Sequence, residues 1–126
     1  MSFSDSSTPV SFLYVSERER ALAFYCGTLG FALRSSDGFG DFIDLGGALL
    51  RMTVLPGHAP HAHPVLGWNV GDIEAAATEL GGRGINFIIY EGMGQDARGI
   101  WTAPDGTTKV AFFADPDGNV LSVAQV

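Results

Sequence analysis

The chain repeats itself once. Shifted by 55 residues, Val10 falls on Val65, Val15 on Val70, Glu19 on Glu74 and Ala21 on Ala76, while Glu17 meets Asp72. A slip of one residue then brings Gly30 onto Gly84. The same order of elements accompanies these matches in both halves, which points to two copies of one supersecondary unit.

In the first copy, residues 10–15 (VSFLYV) are apolar and rich in β-branched and aromatic types, and read as a strand. Ser16 with Glu19 three positions on forms a capping box, and Ala21, Leu22, Tyr25 and Leu29 recur at helical spacing. Gly30 supplies a left-handed stop. Strands are expected at about 31–35, 40–45 and 48–54, separated by Asp37-Gly38 and Gly46-Gly47. Residues 55–64 (LPGHAPHAHP) form a linker, because each proline removes a backbone donor.

In the second copy, residues 65–70 read as a strand. Asp72 caps a helix over 73–80, which Gly81-Gly82 stops. Strands are expected at about 85–90, 98–102, 108–114 and 119–125. The expected organisation is a loose tail over 1–8, a first module over 9–54, the linker, and a second module over 65–126. The fold class is α+β.

Composition narrows the functions. A chain of 126 residues is of single-domain length. A net charge of −7 leaves no basic footprint for nucleic acid, nor for an anionic membrane surface. Cys26 is the single cysteine, so neither an intrachain disulfide nor a zinc ribbon is available. The first residues lack the basic and apolar regions of a signal peptide, and no apolar run reaches membrane-spanning length. The expected location is the cytoplasm.

Two segments resemble a known family. Ala23-Phe24-Tyr25-Cys26-Gly27-Thr28-Leu29-Gly30-Phe31 is similar to the FYxxxLGF segment of the vicinal oxygen chelate family, and Asp115-Pro116-Asp117-Gly118-Asn119 to its DPDGN turn. That family includes glyoxalase I, ring-cleaving dioxygenases and bleomycin-binding resistance proteins. The resemblance implies a pair of βαβββ modules, each curling its mixed sheet into a cup with helices on the convex side, and a homodimer. The turn aspartates are read as structural, since turn chemistry alone accounts for them.

The resemblance also implies where a divalent metal would be held in metal-dependent members. Those positions are Val10, Val65 and Ser122, with a fourth near Leu50 to Met52. Valine has no donor atom and a lone neutral serine is a poor ligand, so no metal or other cofactor is expected there. His58, His61 and His63 in the linker, or displaced ligands, are the alternative metal donors.

Strand alternation assigns the cup faces. Val10, Phe12 and Tyr14 share one face, with Leu13 and Val15 under the helix. Val65, Gly67 and Asn69 share the corresponding face of the second module, as do Val120, Ser122 and Ala124. Phe12, Tyr14, Asn69, Trp101 and Ser122 are thus the expected ligand-binding residues, with Phe39 as a further wall. Asp41 and Asp44 face opposite sides and form no pair. The expected function is metal-free binding of a small hydrophobic or aromatic compound, cationic if the acidic balance governs. The alternatives are a glyoxalase- or dioxygenase-type metalloenzyme with displaced ligands, and a metal-independent enzyme using Tyr14 as acid or base.

Overall fold

A computed structural model describes residues 2–126. The chain divides into two compact units, one ending at His58 and one running from Ala59 to Val126. Each contains a four-stranded mixed sheet, and the repeat read from the sequence is a repeat of topology.

The first unit opens with a helical turn, α1 (Phe3–Ser6), where a loose tail was expected. Serine hydroxyls close it locally: Ser2 Oγ donates to Asp5 at 2.7 Å and Ser6 Oγ to the Ser2 carbonyl at 2.9 Å. Strand β1 (Val10–Val15) leads to α2 (Arg18–Leu22), followed by a π-helical turn over Ala23–Thr28. Then come β2 (Ala32–Asp37), β3 (Gly40–Asp44) and β4 (Leu49–Val54). The sheet order is β1-β4-β3-β2, with β1 parallel to β4 and the other pairs antiparallel.

The helix N-cap falls one residue after the Ser16 expected from the sequence. Glu17 occupies the N-cap with extended φ/ψ and no side-chain capping bond. Arg18 donates to Glu19 at 3.1 Å, and Arg20 donates to Ser16 Oγ at 3.2 Å.

The π turn accounts for the one-residue slip between the repeats. Glu17 and Asp72 are the two N-caps, and Gly30 (φ 84°) and Gly84 (φ 90°) are the left-handed residues that follow the helices. The first interval is one residue longer than the second. The extra residue is taken up where Leu29 N donates to the Phe24 carbonyl at 2.9 Å, five residues back.

The second unit runs β5 (Leu66–Asn69), α3 (Ile73–Gly82), β6 (Trp101–Thr102), β7 (Lys109–Ala114) and β8 (Val120–Gln125), in sheet order β5-β8-β7-β6. Asp72 caps α3 by accepting from Ala75 N at 3.1 Å. Gly81 and Gly82 lie inside the helix rather than stopping it. The left-handed residue comes later, at Gly84.

Residues 85–90 are no ladder strand, although their apolar run predicted one. Ile88 N donates to the Phe112 carbonyl at 2.7 Å. On the segment's other side Gln95 substitutes for a neighbouring strand. Its Nε2 donates to the Ile88 and Gly99 carbonyls at 2.9 and 2.8 Å, and its Oε1 accepts from Tyr90 N at 2.6 Å. One amide side chain thus satisfies backbone groups that a ladder would otherwise pair. The strand expected over 98–102 is reduced to β6 for the same reason.

The Asp115–Asn119 turn is structural, as its chemistry predicts. Asp115 Oδ1 accepts from Asp117 N and Asn119 N, and Oδ2 from Asn119 Nδ2, each at 2.9 Å. Gly118 (φ 88°) takes the left-handed position.

The core of each unit lies on the helix side of its sheet. In the first it comprises Leu13, Val15, Ala21, Tyr25, Ile43, Leu50 and Met52. In the second, Ile73, Ala77, Ala111, Phe113, Leu121 and Val123 are buried, and Trp68 stacks on Phe113 at 6.5 Å.

Strand β3 approaches β4 closely at Gly40. A Cβ there would lie 2.7 Å from the Met52 carbonyl oxygen and 3.1 Å from Thr53 Oγ1. Backbone cannot rotate away as a side chain would. Gly40→Ala is expected to cost about 2 kcal/mol, read as a lowered urea midpoint at unchanged slope.

Candidate functional site

The face of each sheet opposite its helix carries the residues singled out from sequence. In β1, Leu13 and Val15 are buried while Val10, Phe12 and Tyr14 are exposed, Phe12 to 61%. Alternation had assigned these faces as they stand. Parallel pairing with β4 then extends them into cross-strand rows. Phe12 pairs with Arg51, Arg51 with Phe42, and Phe42 with Ser35. The next row runs from Tyr14 to Thr53, beside Gly40 and Asp37.

Arg51 is the residue that sequence reasoning missed. Its guanidinium lies 4.7 Å from the Phe42 ring centroid, a cation–π distance. Nη1 and Nη2 each donate to the Asp37 carboxylate at 3.2 Å. Asp37 Oδ1 also accepts from Phe39 N at 2.8 Å and Gly40 N at 2.9 Å. The Phe39 amide, the Arg51 side chain and the Gly40 amide hold the Asp37 carboxyl below the usual range, so it is ionised near neutrality. The βαβββ pattern lays the closing strand beside the opening one, but the register that sets Arg51 opposite Phe12 comes from the structure. Phe39, expected as a wall, stands at the hairpin tip, 79% exposed.

In the second unit, Gly67 pairs with Ser122 and Ser122 with Phe112, while Asn69 pairs with Ala124, Ala124 with Val110, and Val110 with Trp101. Asn69 and Trp101 therefore end one row, and Ser122 lies in the row beside it. Phe112 and Tyr90, whose rings meet edge to face at 5.7 Å, are further members that sequence reasoning did not name. A Cβ on Gly67 would run into Ser122 Oγ, so the glycine is what admits that hydroxyl.

On the helix side of the first sheet, Asp41 is 3% exposed. It accepts from Arg18 Nε at 3.0 Å, Arg18 Nη2 at 2.9 Å and Ser36 Oγ at 2.6 Å. The Arg18 hydrogen bonds lower its carboxyl pKa despite the opposing effect of burial, with Ser36 contributing in the same direction. An open cleft of about 320 Å³ adjoins this cluster, lined in part by Gly38, Phe39 and Val54. Asp44 is exposed, on the other face, as its spacing from Asp41 requires. Cys26 is half-buried, and burial raises its thiol pKa. Arg98 clamps its loop to α3 through Glu74 Oε2 at 2.6 Å and Thr78 Oγ1 at 2.9 Å.

The residues at the implied metal positions do not fit an ion. Val10 and Val65 offer hydrocarbon only, and Ser122 packs its hydroxyl over Gly67. Among the described residues no group of three or more His, Cys, Asp or Glu is placed to hold a metal. His58 is half-buried with its ring 6.1 Å from that of Tyr14, whereas His61 and His63 are exposed. Nor, among the described residues, is any helix long and apolar enough to cross a membrane.

A chain of two such modules has known counterparts. Residues 8–123 match the family model of the Glyoxalase/Bleomycin resistance protein/Dioxygenase superfamily. The chain belongs to that superfamily. Among solved structures, it is similar to a glyoxalase family protein from Enterococcus faecalis, at 20% identity and a TM-score of 0.74, covering 94% of this chain and 97% of that one. A glyoxalase/bleomycin resistance protein from Catenulispora acidiphila shows 23% identity and a TM-score of 0.71 over 96% and 99% of the two chains. TnmS3, an antibiotic binding protein from Streptomyces sp. CB03234, shows 24% identity and a TM-score of 0.66 over 95% of each. No curated protein matches the sequence. At these identities the likeness is one of fold, and superfamily membership leaves the activity to the site.

Proposed function

We propose that this superfamily member binds and sequesters a small hydrophobic, aromatic molecule without a metal ion. The observation that carries the reading is the donor chemistry at the family's ligand positions: Val10 and Val65 have no lone pair to give. The open sheet faces support it, with Phe12, Tyr14 and Phe42 in one module and Trp101, Phe112 and Asn69 in the other. Such faces, apolar with sparse polar points, suit planar ligands. An antibiotic binding protein among the structures of this fold supports the reading by analogy alone. The homodimer implied by the family resemblance belongs to the same proposal and is read by light scattering.

The test is a pair of measurements. Metal analysis of the purified protein is expected to find far less than one ion per chain, and chelator to leave ligand binding unchanged. A thermal-shift screen of aromatic compounds is expected to find ligands whose stabilisation grows with concentration. Stoichiometric tight metal whose removal abolishes a lyase or dioxygenase activity would overturn the proposal. One contact favours a second reading: Tyr14 stands beside His58, a pairing suited to acid–base chemistry. Turnover of a bound compound, lost in Tyr14→Phe, would select it.

A further inference from the structure

We infer that Arg51 makes the open face of the first module selective for aromatic molecules carrying an anionic acceptor group, such as a carboxylate. The inference rests on the proposed binding function and names the ligand's chemical class.

The argument is one of hydrogen-bond capacity. Asp37 accepts four hydrogen bonds, from Phe39 N, Gly40 N and two Arg51 nitrogens. That is about the capacity of a carboxylate. Three of the four fall on Oδ1, which is full, and one on Oδ2, which keeps a single acceptor site. A guanidinium carries five N–H donors, of which Asp37 takes two. The larger spare capacity in this pair lies on the donor side, and a molecule adding to it gains most by bringing acceptors.

Geometry aims that capacity at a planar molecule. The Phe42 ring and Asp37 fix the guanidinium, whose side chain is only 18% exposed against 46% for Asp37. Phe12, the cross-strand partner of Arg51, is exposed beside it and offers a ring to stack on. Thr53 and Tyr14 lie in the adjoining row. The net charge of −7 favours cations at long range. Screening within about 8 Å at physiological salt leaves the choice to the groups in contact.

The experiment compares naphthalene-2-carboxylate, naphthalene-2-carboxamide and naphthalen-2-ylmethylammonium by titration calorimetry at pH 7, with amide shift mapping to locate the site. The carboxylate is expected to bind at least about tenfold more tightly than the amide, with the ammonium weakest and shifts centred on Phe12, Arg51 and Thr53. Arg51→Met, which keeps a stem over Phe42, is expected to erase the preference while retaining amide binding. Arg51→Lys is expected to keep the order of affinities at reduced strength, which separates loss of charge from misfolding. Equal binding of all three probes, tighter binding of the ammonium, or shifts elsewhere would overturn the inference and leave the aromatic-binding proposal standing. Failure of all three to bind would count against both. A change of oligomeric state in Arg51→Met with carboxylate affinity unaltered would assign the face to a second copy of the chain, and would also overturn it.

Discussion

Tyr25→Ala is expected to destabilise the first module by about 4 kcal/mol. Tyr25 is fully buried within the π-helical turn, among the largest side chains of its core, and its ring meets that of Phe24 edge to face at 5.1 Å. Its carbonyl also accepts from Phe31 N at 3.1 Å, where the chain leaves the helix. Truncation removes the ring from a site where the wide turn and the sheet set the cavity walls, so little collapse is available. Hydrogen exchange resolved by residue is the measurement. Protection should fall by roughly a thousandfold in β1, β3 and β4, and much less in β7 and β8, which belong to the other compact unit. A uniform loss across both units would show that they unfold as one and would contradict the expectation.

Asp41→Ala comes next in size. The carboxylate is almost wholly buried and joins α2 to the β2–β3 hairpin through Arg18 and Ser36. Its removal leaves Arg18 and the Ser36 hydroxyl without this acceptor. Arg18 is substantially exposed and regains water, so the loss is expected near 2 kcal/mol, below the full cost of breaking a wholly buried pair. The pH dependence has a definite sign. Asp41 has a folded-state pKa below its ordinary value. Its contribution is therefore complete above the unfolded carboxylate pKa, near 3.9, and is lost as pH falls through the lower folded value. Denaturant midpoints from pH 7 to pH 2 should show wild type and Asp41→Asn converging at the acid end. A constant gap between them would refute the assignment.

Several features of the fold were legible in the chain before any contact was known. The 55-residue repeat is a repeat of sheet topology, and the structure adds that its one-residue slip falls at the π turn. Period-two alternation in VSFLYV placed Phe12 and Tyr14 opposite Leu13 and Val15, because a strand has no other way to divide its side chains. Asp115 and Asn119 were read correctly as turn residues despite their catalytic type.

Other features were not legible, for reasons that differ. NFIIY looked like a strand because its residues favour one. Gln95, five positions beyond Tyr90, supplies the hydrogen bonds a neighbouring strand would have made. The helix expected to be capped at Ser16 is capped at Glu17, where arginines at 18 and 20 engage Glu19 and Ser16. Local propensity cannot weigh such competitors, whose partners depend on how the chain turns.

By itself the sequence determined the repeated strand–helix–strands plan, the inward and outward faces of the opening strands, and the want of donor atoms at Val10 and Val65. These follow from periodicity and side-chain chemistry, which are properties of a residue and its near neighbours. The tertiary structure decided that Arg51 stands beside Phe12, over Phe42 and against Asp37. That placement depends on the register between strands far apart in the chain, where a shift of one residue would turn Arg51 into the core. The chemistry of the open face was decided there.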